Sequence, residues 1–141
     1  MRVLLDANVV LDCLVLQSSG EPRAGKAASD QVLNLCDTGV HEGLIAWHTL
    51  PIIAYYHERQ HGTEDTAAMM DALLAMLEVP PVSHRDAANW RSHGLADFED
   101  ALQIACAASG GADVIITRNT SDFIGSTIPM MTPEIFLAAG K

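Results

Sequence analysis

Arg2-Val3-Leu4-Leu5-Asp6-Ala7-Asn8-Val9-Val10-Leu11-Asp12 is the stretch whose reading decides the fold. A short unbroken apolar run, Val3-Leu4-Leu5, stops at a carboxylate, and an apolar pattern of helical period follows at once. Strands covered on both faces read as such runs, whereas strands with one wet face alternate. The run therefore predicts a buried strand of a parallel sheet. The helix after it carries Val9, Val10, Leu11 and Leu14, with Asn8 placed to cap it. In an open parallel sheet, ligands gather at the carboxyl ends of the strands. Asp6 sits at that end, where it can serve as a helix cap or as part of a site.

Outward from this stretch the same grammar repeats. Gly43-Leu44-Ile45-Ala46 and Val114-Ile115-Ile116-Thr117 are two more short buried strands, and Val79–Val82 and Ile128–Met131 are brief extended pieces. Between them lie helical patterns. One runs from Pro22 or Arg23 to a stop at Gly39, and one from Trp47 to Tyr56 with Pro51 in its first turn. Gly62 ends the latter, Thr63 caps the next, and Ser83–Gly94, Phe98–Ser109 and a terminal helix from Pro133 follow. Short apolar strands alternating with helices predict one α/β domain over residues 1–141, a three-layer α/β/α sandwich with a short central parallel sheet.

Composition narrows the function. The 141 residues carry a net charge of −10, and the cations are two lysines, Lys26 and Lys141, and six arginines. No basic stripe exists, which argues against holding nucleic acid by phosphate neutralisation alone. A phosphodiester partner then calls for positive charge from elsewhere, and a divalent cation can supply it. No apolar run reaches the ~20 residues of a membrane span, and the amino terminus enters a strand with no signal-peptide layout. Cys13, Cys36 and Cys106 are widely spaced among apolar helix residues, which predicts buried reduced thiols rather than a disulfide framework or cysteine zinc site. These features together predict a cytoplasmic protein with no membrane attachment.

Two further polar groups join Asp6. Asp97 and Asp100 are three apart at the start of a helix, hence on one face. Asn119 and Asp122 are three apart just past a buried strand, as Asp6 is. Each group alone suits its local backbone, through the helix dipole or turn chemistry. Three groups at one rim of one sheet suit a hard cation, because clustered carboxylates repel unless such an ion binds their oxygens. Arg118 and Arg2 are candidates for phosphate contacts or plain solubilising charge.

The strand and helix "LLDANVVLD", the helix "DFEDALQIACA" and the closing "ITRNTSDF…PEIFL" together resemble the PIN-domain ribonucleases, in the branch of the bacterial VapC-like toxins. The resemblance spans nearly the whole chain in order and length. It implies Asp6, Asp100 and Asp122 as metal-binding and catalytic acids, with Asp97 an added metal neighbour, Asn119 a further catalytic position and Thr117 the hydroxyl that orients the first acid. It also implies an Mg²⁺- or Mn²⁺-dependent endoribonuclease, often a homodimer, whose partner antitoxin inserts a segment into the acidic groove. The chain departs from the family at one place. In "HTLPIIAYY", Ile52, or else Pro51, stands where the family's second acid belongs.

Three other readings compete. A PIN-like module that has lost its chemistry would bind RNA or protein without cleaving. His57-Glu58-Arg59-Gln60-His61 fits H-E-x-x-H, a zinc hydrolase signature, with Glu78 or His84 as the nearby third ligands, although Gly62 places it on a helix end expected to be exposed. A haloacid-dehalogenase-type phosphatase also begins with a strand ending in Asp, but Asn8 stands where its second Asp is needed.

Overall fold

The computed structural model describes residues 1–123 and 125–140, with only the backbone of Asp122 and Phe123. Five strands form one sheet: β1 (Arg2–Leu5), β2 (Glu42–Ile45), β3 (Leu77–Glu78), β4 (Val114–Ile116) and β5 (Met130–Met131). Their spatial order is β3-β2-β1-β4-β5 and every neighbouring pair is parallel. The helices are α1 (Ala7–Leu14), α2 (Lys26–Asp37), α3 (Leu50–Met76), α4 (His84–Ala88), α5 (Phe98–Ser109) and α6 (Pro133–Ala138). This is the expected α/β layering.

Alternation along β1 explains why the sheet lies in the middle. Val3 and Leu5, with Ile45, Val114 and Ile116, pack into one core against Val9, Val10, Val32, Ile53, Leu73 and Phe136 of α1, α2, α3 and α6. Leu4, with Leu44 and Ile115, packs into the other against Leu95 and the α5 residues Ala101, Ile104 and Ala107. Successive strand residues point to opposite faces, so a run apolar at every position needs cover on both. Each fully buried branched side chain contributes about 2 kcal/mol.

Several boundaries differ from the sequence expectation. α2 begins at Lys26 rather than at Pro22 or Arg23, and Leu16 and Pro22 form an isolated antiparallel bridge before it. β3 is Leu77–Glu78 and not the Val79–Val82 segment. Two prolines there lack the N–H that a ladder needs, so pairing stops before them. A short 3₁₀ turn, Trp47–Thr49, precedes α3. Gly62 breaks the span as expected: with φ of 85° and ψ of 173° it is non-helical, and α3 is two helical stretches joined at that kink. His57 Nδ1 and Thr66 Oγ1 meet at 2.7 Å across that kink. Among the described residues, no helix is long and apolar enough to cross a membrane.

Strand register positions the rim. Leu5 pairs with Ile45 on one side and Ile116 on the other, so Asp6, Ala46 and Thr117 emerge side by side at the carboxyl end. From β1 the chain goes first to one neighbour and later to the other. The crevice outside β1 is thus the topological switch point, where open α/β sheets bind ligands.

Candidate metal centre

Asp6 is built into this crevice. Its backbone N–H donates to Ile116 O at 2.9 Å, continuing the ladder one residue beyond the strand. Its side chain is 9% exposed and accepts three hydrogen bonds. Ala7 N (2.7 Å) and Gln103 Nε2 (2.8 Å) donate to Oδ1, and Thr117 Oγ1 (2.8 Å) donates to Oδ2. Asp6 is therefore the cap of α1. Asn8, expected to cap, lies within α1 and its Oδ1 accepts from Arg118 N at 3.2 Å. Burial holds the Asp6 carboxyl above its usual range, while the bonds from Thr117, Ala7 and Gln103 pull it down and the charge of Glu99 adds to the rise. A carboxylate offers about four acceptor sites. Three are filled from within the chain, which leaves Oδ2 able to take one more partner.

The helix α5 carries the acids. Asp97 caps it, accepting from Asp100 N at 2.9 Å. One oxygen from each of Asp97, Glu99 and Asp100 lies within 4.8 Å of the others, the one such acid, His or Cys group among the described residues. Asp97 and Glu99 are exposed and Asp100 is half-buried. Asp6 stands outside this trio and is tied to the helix that carries it through Gln103, one turn beyond Asp100. The buried side of α5 is made by Ala101, Gln103, Ile104, Ala105, Cys106 and Ala107.

Thr117 is fully buried and joins two parts of the rim, donating to Asp6 and accepting from Asn119 N at 3.1 Å. Asn119 itself is exposed in the loop after β4. The expectation for the Asp122 side chain falls outside the described residues.

Gln103 was not legible as a site residue, although it is the one polar side chain in the run Ala101–Ala107. It is fully buried, and its Oε1 has no hydrogen-bond partner. The opposite amide orientation would set two acceptor oxygens against each other at Asp6, so Oε1 is the atom left over. An orphaned buried carbonyl oxygen next to the Asp6 carboxylate, on the helix that carries Asp97, Glu99 and Asp100, is the all-oxygen donor chemistry of a hard divalent cation and its waters. The residues present fit Mg²⁺ or Mn²⁺.

His48 lies in the 3₁₀ turn leading into α3 and Ile52 in the first turn of α3 itself. His48 Nε2 lies 3.2 Å from Glu99 Oε1. Burial works against the charged imidazole, but Cys106 and Glu99 outweigh it and push His48 up to about 9. Ile52 is partly exposed on the first turn of α3 and offers no donor atom.

Two expectations are redirected. Arg118 commits its donors to the fold: Nε to Asp12 Oδ2 (2.7 Å), Nη1 to both Glu134 oxygens (2.6 Å), and Nη2 to Gly25 O (2.7 Å) and Ser29 Oγ (2.9 Å). Arg2 bonds Gly110 O, Glu42 and Glu78 at the amino end of β1. Neither is spare for phosphate. In the H-E-x-x-H stretch, His57 is buried, against the expectation of an exposed end, and its Nδ1 is engaged by Thr66. Its ring stacks on His61 with centroids 4.4 Å apart. Neither histidine belongs to a metal-holding group among the described residues.

The fold has close parallels. FitAcB from Neisseria gonorrhoeae superposes with a TM-score of 0.65 at 16% identity, covering 94% of this chain and 98% of that one. VapBC2 from Rickettsia felis bound to a DNA fragment from its promoter gives 0.65 at 14% identity, with 94% and 98% covered. VapBC-1 from nontypeable Haemophilus influenzae gives 0.66 at 16% identity, with 95% and 99% covered. A sequence search of curated proteins returns no match. Identities this low speak to fold alone, but the family model for the PIN domain matches residues 2–121, and the chain belongs to the PIN-domain family.

Proposed function

We propose that this chain is a metal-dependent endoribonuclease that hydrolyses RNA phosphodiester bonds and acts as the toxin of a toxin–antitoxin pair. The observation that carries the reading is the buried Asp6 carboxylate at the switch point, tied by Gln103 to the helix bearing Asp97 and Asp100. PIN domains are generally nucleases, and the family membership supports a hydrolase. In this reading Asp6, Asp100 and Asp122 hold Mg²⁺ or Mn²⁺, with Asp97 assisting. When bound, such an ion polarises the scissile phosphate and lowers the pKa of an attacking water. The chain's own part is to orient and exclude. Thr117 fixes the Asp6 rotamer, α1 and α5 wall the crevice, and Asn119 at its mouth orients water or phosphate.

The antitoxin partner is supported by fold likeness to the FitAcB and VapBC structures. A homodimer is our further expectation, and Ile52, Tyr55, Tyr56 and Leu74 leave apolar surface exposed along α3. We place the protein in the cytoplasm on its reduced cysteines.

Cleavage of RNA by wild type with Mn²⁺, lost with EDTA and in Asp6→Asn and Asp100→Asn, is the expected result. A second reading is favoured by Ile52: a PIN module that binds RNA or protein without cutting. Wild type as inert as both variants, yet retaining RNA in a filter-binding assay, would establish that reading instead.

A further inference from the structure

Neither the turn that follows β2, Trp47–Thr49, nor the first turn of α3, where Ile52 stands, carries an acid, yet the former does carry His48. His48 reaches across to α5 and meets Glu99 at 3.2 Å. Glu99 carries no role in the sequence reading, since acids in a helix's first turn are accounted for by the helix dipole. The geometry gives it more to do. Its carboxylate shares the group with Asp97 and Asp100, so one oxygen from each of the three lies within 4.8 Å of the other two.

Acids at a helix start do not by themselves make a site. The second observation is Gln103. It lies three residues after Asp100 and four after Glu99, and helical side chains lean back over the turn that precedes them. Its amide is fully buried, donates to Asp6 and leaves Oε1 without a partner. Buried amide oxygens are almost always satisfied, and an unsatisfied one beside the Asp6 carboxylate marks a place for a water or an ion.

We propose that Glu99, braced by His48, is a ligand of the metal alongside Asp97 and Asp100, and that Gln103 Oε1 holds a water of the same ion. This rests on the metal-dependent nuclease reading and specifies how a chain without an acid at position 52 completes its ligand set. Glu99 supplies the carboxylate from α5 instead of from α3. His48 is a positioning residue, acting on Glu99 from the β2 side.

The test is calorimetric titration with Mn²⁺ alone, with Mn²⁺ electron paramagnetic resonance as a second readout and circular dichroism to check each fold. Glu99→Gln is expected to weaken Mn²⁺ binding by about 10-fold or more, the scale seen when ligand support is removed. Glu99→Asp should keep part of the affinity, and Ile52→Glu placed in the Glu99→Gln background should restore part of it. His48→Gln, tested on the other end of the same contact, should also lose affinity while the melting temperature holds. Wild-type affinity in both Glu99→Gln and His48→Gln, alongside loss in Asp100→Asn, overturns this inference and leaves the nuclease reading standing. No Mn²⁺ binding by wild type overturns both.

Discussion

Replacing Thr117 with Val tests the core of the site with almost no change of shape. The hydroxyl donates to Asp6 Oδ2 at 2.8 Å and accepts from Asn119 N at 3.1 Å, and the residue is fully buried. Val keeps the branch and removes both bonds. A hydrogen bond to a charged group contributes about 1.5–3 kcal/mol, and a buried anion left short of a donor costs at least as much. Asn119 is exposed, so its N–H regains water at little cost. We therefore expect destabilisation of about 2–3 kcal/mol at pH 7 by urea unfolding, or a melting temperature lower by roughly 5–10 °C for a domain of this size. The sign of the pH dependence follows from Asp6. Burial raises its folded pKa above the unfolded value, so the stability Asp6 contributes is present at low pH and is lost as pH rises through the folded pKa. Thr117 counters that rise, and its removal lifts the pKa further. The penalty of Thr117→Val should accordingly be largest at neutral pH and shrink as Asp6 protonates. Thr117→Ser should lie close to wild type. A penalty below about 1 kcal/mol at pH 7, or one independent of pH, would refute the assignment of Thr117 as the group that holds the Asp6 anion.

Three other perturbations follow from the packing. Arg118→Met leaves Asp12, 3% exposed, with Arg23 at 2.9 Å and Ser29 as remaining partners, and should cost about 3 kcal/mol in urea unfolding because a buried charge loses half its pairing. Gly25→Ala should cost about 1–3 kcal/mol, since a Cβ there overlaps the Arg118 guanidinium, and the double variant should sit close to Arg118→Met alone. Burial pushes the Cys13 thiol up to about 12 and Cys36 up to about 11, so both should resist alkylation at pH 8 until the protein unfolds, as read by mass spectrometry. Rapid labelling of either in the folded protein would contradict their placement.

The buried Asp12 cluster shows why the distribution of arginines could not be interpreted from composition. Arg118 follows directly on Thr117 and looked available at the rim. Its side chain instead runs to α1, α2 and α6, where Asp12, Gly25 with Ser29, and Glu134 converge from three separate parts of the chain. Pairing over such separations depends on tertiary packing, and no local pattern announces it.

What the chain determined by itself is local and periodic. Val3–Leu5, Leu44–Ile45 and Val114–Ile116 carry unbroken apolar runs that only a sheet covered on both faces can bury, and Pro, Gly and capping acids mark most helix ends. The positions of Asp6, Asp97, Asp100 and Thr117 near element ends were visible for the same reason. Tertiary structure decided which groups meet. Gln103 is one polar residue on an apolar helix until α5 packs beside β1, and nothing local marks Glu99 until the turn after β2 brings His48 to it. Periodicity reports which face of an element is buried. The partners that face finds depend on strand order and register, which are fixed by the packing of the whole domain.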